Sequence, residues 1–248
     1  MKNVQALLVP QNRSFVAIGH ACILPCIAAS SRFPVTPDTA VRRIISSQIK
    51  RDPHWVPASR YTRAQLPAAV RPWLLDDGSL TARLISLNEG KFSVERLSHA
   101  WITPLPSERR LLDIAQRQRA LVREVVLRLD TQDVVFARSV FPCSSLNGSL
   151  LHLRRLHNKS LGAYLFSQSG MQRSPFEICL LDGHHGYLPA GLRQEQPAWA
   201  RRSRFELNAK SLLVSEVFLQ AFKPWPDALS VHRSQRGKVR AAMLRANQ

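Results

Sequence analysis

The run Leu121-Val-Arg-Glu-Val-Val-Leu-Arg-Leu129 is followed, after Asp130-Thr-Gln-Asp133, by Val134-Val-Phe-Ala-Arg-Ser-Val-Phe141. Both apolar runs are rich in β-branched and aromatic residues, and the segment between them is polar, as in a pair of strands joined by a turn. We therefore predict a β-hairpin at the centre of the fold, with its turn at residues 130–133.

The segments on either side of this hairpin continue the same pattern. Apolar spacing predicts helices over residues 65–75, 79–87, 108–117 and 144–156, and strands over 91–102, 176–181, 203–207 and 212–219. A polar loop with three glycines fills residues 182–198. Strands that follow one another with few helices between them favour an α+β fold with an antiparallel sheet over a doubly wound α/β fold.

The two ends of the chain have a different composition from its middle. Residues 1–62 contain six prolines and little periodicity, apart from a possible short helix at 39–50, and residues 223–248 combine two prolines with a basic run that could be helical at 237–245. We predict a loosely ordered N-terminal extension over 1–62, one domain over 63–222 and a basic tail over 223–248.

The formal net charge of +18 is concentrated in the ends of the chain. Residues 1–70 hold nine Lys and Arg against two Asp and Glu, residues 219–248 hold six against one, and the middle holds 20 against 14. Basic ends on a more moderate core favour solvated termini over a nucleic-acid-binding domain, and leave weak contact with RNA or an anionic membrane open.

The cysteines and the apolar segments indicate a cytoplasmic protein without a metal site. Cys22, Cys26, Cys143 and Cys179 lack the paired spacing of a zinc site, so reduced thiols are expected. The apolar run at 15–29 is interrupted by a histidine and a proline, which disfavours a signal peptide, and it is too short to span a membrane.

Three charged residues lie within the apolar pattern of the predicted strands: Arg123, Arg138 and Glu216. Alternate residues of a strand share a face, and each of the three shares its parity with large apolar residues. A buried charge without a partner is costly, so each needs one. Either Glu216 pairs with one of the two arginines as an internal salt bridge, or the three line a cavity that holds a small anion.

Six segments then give the chain a resemblance to a known family. They occur in family order over about 150 residues: Trp73-Leu-Leu-Asp-Asp-Gly-Ser-Leu-Thr81, Arg123-Glu-Val-Val-Leu127, Val135-Phe-Ala-Arg-Ser-Val-Phe-Pro142, Leu161-Gly-Ala-Tyr-Leu-Phe166, Trp199-Ala-Arg-Arg-Ser-Arg-Phe205 and Leu212-Leu-Val-Ser-Glu-Val-Phe-Leu219. In these segments the chain resembles the chorismate lyases.

The resemblance implies a single-domain fold with an antiparallel sheet backed by helices and an internal ligand cavity closed by flaps. It implies cleavage of chorismate to 4-hydroxybenzoate and pyruvate, the first committed step of ubiquinone synthesis, without a metal or organic cofactor. By the same resemblance Arg123 binds the ring carboxylate together with the backbone amides of Leu80 and Leu161, and Glu216 faces the 4-hydroxyl group.

Arg138 is our candidate for the second carboxylate of chorismate, and we expect a monomer without a specific nucleic-acid partner or a membrane span. The chain departs from the family pattern at loop positions, where Ser160 and Gln220 stand in place of common prolines. The competing interpretation is a ligand-sensing module of the related effector-binding fold, but residues 1–62 do not show the pattern of a winged-helix DNA-binding domain.

Overall fold

The computed structural model describes residues 50–87 and 91–223, all of which lie in the compact unit Ser47–Gln248. The predicted helices at 39–50 and 237–245 therefore lie outside the described residues, apart from residue 50. The central hairpin is confirmed. Its strands are Ala120–Leu129 and Gln132–Pro142, so the turn is shorter than predicted, and Asp130 adopts a left-handed φ of 51°.

The described strands form one eight-stranded antiparallel sheet. They are β1 Val56–Pro57, β2 Phe92–Ile102, β3 Ala120–Leu129, β4 Gln132–Pro142, β5 Gln172–Arg173, β6 Glu177–Leu181, β7 Ala198–Leu207 and β8 Lys210–Phe218. The order across the sheet is β1-β6-β7-β8-β4-β3-β2, with β5 paired to β7. The α+β class, with an antiparallel sheet backed by helices, is confirmed.

Helices and loop segments together cover both faces of the sheet. The α-helices are α1 Arg71–Leu74, α2 Leu80–Ser86, α3 Pro106–Leu112 and α4 Leu161–Ser167, and 3₁₀ helices span Cys143–Ser145 and Gly148–Arg155. Side chains of β3 such as Val125 and Leu127 pack with α1 and α2, whereas Val126, next along the strand, packs on the opposite face. Because both faces are covered, β3 and β4 are buried at nearly every position rather than at alternate ones.

Three predicted helices are shorter or of another type than expected. Residues 65–75 form an α-helix only over Arg71–Leu74, with Pro67 in the preceding turns. The helix predicted to end at 117 stops where Asp113 takes a left-handed φ of 53°. The segment 144–156 forms two 3₁₀ helices, and Gly148, the first residue of the second, adopts a φ of +51°.

The start of the domain lies earlier than the predicted residue 63. Asp52 accepts hydrogen bonds from the backbone and hydroxyl of Ser107, and Trp55 packs against Tyr187. Val56–Pro57 adds β1 to the sheet beside β6. Residues 50–60 are thus part of the sheet and its packing, which a proline-rich composition did not indicate. No helix within 50–87 and 91–223 is long and apolar enough to cross a membrane.

Candidate functional site

A small cavity lies between the sheet and the two helices α2 and α4, which we call the flap helices. Its volume is about 50 Å³. Four of the five residues predicted for the site line it: Leu80, Arg123, Leu161 and Glu216. Arg138 does not. Most of the predicted site residues are thus brought together in one cavity, as four of its 18 lining residues.

Arg123 reaches the cavity from β3 as a buried cation. Its side chain is 2% exposed, and one terminal nitrogen donates to the carbonyl oxygens of His157 and Lys159 at 2.8 and 2.9 Å. The Nε atom is buried without a hydrogen-bond partner, and no carboxylate of residues 50–87 and 91–223 forms an ion pair with the guanidinium. Burial, with a smaller effect from Arg96, lowers the pKa of Arg123 to about 10.

Glu216 is held on β8 by a partner that the sequence did not predict. Arg201 lies directly opposite it on β7, and the Arg201 Nε donates to Glu216 Oε2 at 2.6 Å. Of the two alternatives that the sequence left open, the internal pair of Glu216 with Arg123 or Arg138 is therefore not formed. The predicted strand began at residue 203, whereas β7 begins at Ala198, so Arg201 was not placed beside Glu216.

Arg201 also ties the glutamate to the start of the first flap helix. One of its terminal nitrogens donates to the carbonyl oxygens of Trp73 and Asp76 at 2.6 and 2.8 Å. Asp76 in turn accepts from Arg83 of α2 at 3.0 Å. The guanidinium of Arg201 thus fixes both the carboxylate of Glu216 and the loop that leads into α2.

The two flap helices begin side by side at the cavity. Ser79 and Ser160 cap them by accepting from the third backbone N–H of each helix, and the Ser160 hydroxyl donates to Thr81 Oγ1 at 3.0 Å. First-turn N–H groups, including those of Leu80 and Leu161, have no partner within an α-helix and suit an anion. The two helix starts therefore present donors to the same cavity as Arg123.

Arg138 lies on the other face of the sheet, so its assignment to the substrate is wrong. In the hairpin register Arg123 is opposite Ser139, whereas Arg138 is opposite Glu124. Arg138 binds Glu108 at 2.7 and 3.1 Å and Glu124 at 2.7 Å. Burial acts against its charge, but Glu108 holds the pKa of Arg138 above its ordinary value. The guanidinium of Arg138 thus donates to Glu108 and Glu124 in a buried ion-pair cluster.

Arg173, from the short strand β5, lines the cavity and was missed in the sequence. Its Nε donates to the Ser203 hydroxyl at 2.7 Å, and the guanidinium lies 4.1 Å from the ring centroid of Phe176. Within the described residues it has no ion pair, and burial, followed by repulsion from Arg201, lowers the pKa of Arg173 to about 9. A two-residue strand gives no periodicity, so alternation could not have identified this residue.

The described residues hold no cluster of three or more His, Cys, Asp or Glu side chains that could bind a metal ion. What converges on the cavity is a set of donors: two buried arginines without carboxylate partners, and the starts of two helices. A guanidinium binds a carboxylate through two parallel hydrogen bonds. Fold and site together define a small α+β protein with a donor-lined cavity between an antiparallel sheet and two helices.

Comparison with known proteins names the family. The sequence model described as chorismate lyase matches residues 52–226, so the chain belongs to the chorismate lyase family. "Probable chorismate pyruvate-lyase 2" of Pseudomonas fluorescens (strain Pf0-1) is 44% identical over 168 residues, which are 67% of this chain and 89% of the relative. "Probable chorismate pyruvate-lyase" of Aromatoleum aromaticum is 39% identical over 173 residues, 67% of this chain and 93% of the relative.

Among solved structures, the effector domain of PhnF from Mycobacterium smegmatis is similar, with a TM-score of 0.43 and 16% sequence identity. The superposition covers 58% of this chain and 89% of that domain.

Proposed function

We propose that this protein removes pyruvate from chorismate to give 4-hydroxybenzoate, which would be the first committed step of ubiquinone synthesis. The observation that carries the proposal is Arg123, a buried cation without a carboxylate partner among the described residues, in a cavity of a chorismate lyase family member. A desolvated guanidinium in this setting requires an anionic ligand to offset its burial.

The ring carboxylate of chorismate would bind Arg123 and the first-turn amides of Leu80 and Leu161. Arg123 already uses one terminal nitrogen for two carbonyl oxygens, which fixes the orientation of the guanidinium plane before a ligand arrives. A donor held in place by the protein needs no reorganisation when it binds. The carboxylate is thereby the anchor from which the rest of the ring is positioned.

Arg173 replaces Arg138 as our candidate for the carboxylate of the enolpyruvyl group. It lines the same cavity as Arg123, and its Nε is fixed by Ser203. Chorismate carries two carboxylates, and two arginines without carboxylate partners within the described residues match that charge. Arg138 cannot take this role, since two glutamates on the far face of the sheet occupy it.

The reaction depends more on the orientation of bound chorismate than on a strong general acid or base in the protein. The C3–O bond breaks, its electrons move onto the enolpyruvyl oxygen, and the proton lost from C4 ends on the methylene carbon of the released pyruvate. Because the ring becomes aromatic, the driving force is large, and no redox step is involved. Arg173 would stabilise the charge on the leaving group, and Glu216 would accept the hydrogen bond of the 4-hydroxyl.

Binding requires the flap helices to move. A volume of about 50 Å³ is several times below the roughly 300–1,000 Å³ of pockets that hold small organic ligands. Chorismate would therefore enter when α2 and α4 separate, and their return would exclude water from the reacting bond.

The direct test is incubation of the purified full chain with chorismate, after exhaustive treatment with a chelator. We expect 4-hydroxybenzoate and pyruvate in equal amounts, and their absence would contradict the proposal. Arg123→Ala should abolish turnover, whereas Arg117→Ala, which removes an exposed arginine outside the cavity, should leave it intact. Binding of 4-hydroxybenzoate without any turnover would instead favour the sensing module.

Glu216→Gln separates a catalytic from a structural role of the glutamate. The amide oxygen can still accept from Arg201, so we expect the free energy of unfolding to fall by about 1–3 kcal/mol, less than for a fully broken buried pair. Single-turnover rate per folded molecule should fall much further than this loss of stability explains. A variant that melts lower yet reacts at the normal rate per folded molecule would rule out a role for Glu216 in the chemistry.

A further inference from the structure

A second surface with a distinct chemistry lies at the β2 end of the sheet. Two open grooves, of about 550 and 720 Å³, meet there and share Arg154 as a lining residue. One groove runs along β2 past Trp101, and the other follows the 3₁₀ helix Gly148–Arg155. The guanidinium of Arg154 lies 5.7 Å from the ring centroid of Trp101 and joins the two elements. We call this surface the basic face; it comprises Arg96, Leu97, Trp101, Leu151, Arg154 and Arg155.

Large apolar side chains are exposed on the basic face. Leu97 is 40% exposed, Trp101 36% and Leu151 50%, and together they are three of the six large exposed hydrophobic residues within 50–87 and 91–223. Leu97 sits at the bulge of β2, outside the regular pairing with β3. The 3₁₀ helix buries Leu150 and Leu153, which turns Leu151 outward.

The charge of the basic face is of one sign. Residues 134–176 contain no Asp or Glu, and Arg154, Arg155 and Lys159 of this segment are all exposed. On β2 the acidic residue adjacent to Arg96 is Glu95, which forms an ion pair with Arg128. The exposed leucines and the tryptophan are therefore surrounded by cations whose fields are not cancelled locally.

Charge and geometry select among the possible occupants of this surface. The segments 1–49 and 224–248 each carry five Lys and Arg against one Asp, so the positive surface repels them. Pairing of β2 with a second copy is hindered by the bulge between Arg96 and Ser98, a device that protects edge strands. Single-stranded nucleic acid needs several stacking aromatic rings, whereas within 50–87 and 91–223 Trp101 alone among the Phe, Tyr and Trp side chains is exposed.

We propose that the basic face is a peripheral binding site for an anionic lipid bilayer. Arginine and lysine bind to the negative surface of the headgroups, and tryptophan and leucine side chains enter the boundary between headgroups and acyl chains. The basic ends of the chain add to the attraction, since they carry the same sign of charge. The site is separate from the cavity, with which it shares no lining residue.

Sedimentation of the full chain with lipid vesicles tests the proposal. We expect binding to vesicles that contain phosphatidylglycerol, loss of this binding at high salt, and no binding to pure phosphatidylcholine. The double variant Arg154→Glu/Arg155→Glu should bind at least tenfold more weakly. The matched control Arg60→Glu/Arg63→Glu changes the net charge equally at exposed positions near β1, on the far edge of the sheet, and should bind almost as well as wild type.

Tryptophan fluorescence gives a readout that does not depend on charge reversal. Emission of the wild-type chain should shift to shorter wavelength with phosphatidylglycerol vesicles, and Trp101→Phe should remove this shift while leaving thermal melting and turnover unchanged. Equal loss of binding in the two double variants would overturn the proposal, because net charge alone would then account for attachment. The proposal would also be overturned, in favour of a nucleic-acid partner, if the Arg154/Arg155 double variant and its Arg60/Arg63 control differed in RNA binding but not in vesicle binding.

Discussion

Arg123 is a buried cation for which the described protein supplies carbonyl oxygens but no carboxylate. The unliganded protein therefore carries a cost that an anionic ligand removes, so that stability and binding are linked through this residue. Neighbouring charge adds to the effect, because Arg96 also acts to lower the pKa of Arg123.

Arg123→Met should leave the melting temperature of the unliganded protein nearly unchanged, since the lost hydrogen bonds to two carbonyls are offset by removal of a desolvated charge. 4-Hydroxybenzoate at a hundred times its Kd should stabilise the wild type by about 2.7 kcal/mol. The variant should show almost none of this stabilisation, whereas Arg117→Met should keep it. Thermal melting with and without the ligand measures both quantities. An undiminished ligand response in Arg123→Met would contradict the assignment.

His99, opposite Arg123 in the β2–β3 register, makes stability depend on pH. Burial, followed by repulsion from Arg123 and Arg96, lowers the pKa of His99 in the folded protein. The unfolded chain, in which imidazole titrates near pH 6.5, then takes up the proton first as the pH falls. The stability that neutral His99 contributes is present above about pH 6.5 and is lost as the pH falls through the lower native pKa. His99→Gln should flatten melting temperature against pH between about 7 and 5, and a steeper profile would contradict this.

Alternation along the strands identified Arg123 and Glu216 but could not pair them. Both faces of β3 and β4 are apolar, so parity within one strand does not reveal which residues of the neighbouring strand share its face. The hairpin register decides this, and it places Arg138 beside Glu124 rather than beside Arg123. Leu80 and Leu161 were predicted from the resemblance to the chorismate lyases alone. Residues that would bind a ligand through their backbone amides cannot be recognised from their side chains.

At the level of whole elements, the flap helices are joined by one hydroxyl pair, Ser160 to Thr81. Gly162 lies beside this pair, and an added Cβ would make ordinary van der Waals contacts of 3.4 Å with Thr81 Oγ1 and 3.6 Å with Ser79 Oγ, so the approach does not require a glycine. Of the two flap helices, only the helix at 79–87 was predicted, from its apolar spacing, and the structure confirms this helix with Ser79 as its N-cap. Contact between two helices far apart in the chain could not be derived from either segment alone.

Thr81→Val keeps the shape of the side chain and removes the hydrogen bond between the flap helices. A hydrogen bond contributes about 0.5–1.5 kcal/mol, so dissociation of 4-hydroxybenzoate should become roughly two- to tenfold faster, with little change in melting temperature. Ser86→Ala, which removes a hydroxyl from α2 that bonds only within its own helix at Arg83, is the control. Stopped-flow dissociation measures the rates, and equal rates in all three proteins would show that the hydroxyl pair does not hold the cavity closed.

For the molecule as a whole, residues 50–62 pack on the sheet rather than forming a separate extension. Lys50 pairs with Glu124 at 2.9 Å, and Trp55 packs on the cluster that contains Tyr187, so this segment closes one face of the sheet. The proline-rich composition predicted a loosely ordered extension here. Prolines also occur in extended segments that pack along a sheet edge, and such segments show no periodicity that would distinguish them.

A chain that begins at residue 63 should be less stable than one that begins at residue 48 by about 3 kcal/mol or more, the cost of removing a large aromatic side chain from a cluster. Denaturant unfolding of the two chains measures the difference. Equal free energies of unfolding would show that residues 50–62 contribute no net stability to the sheet, despite their contacts with it.

The small cavity of about 50 Å³ also predicts how the turnover rate depends on solvent viscosity. If product leaves only when α2 and α4 move apart, the movement of these helices through the solvent limits the rate of turnover, rather than the cleavage of the C3–O bond. Turnover should then fall in proportion to viscosity when sucrose is added, but not when a large polymer raises only the bulk viscosity. Single-turnover cleavage, which would take place beneath the closed flap helices, should be indifferent to both.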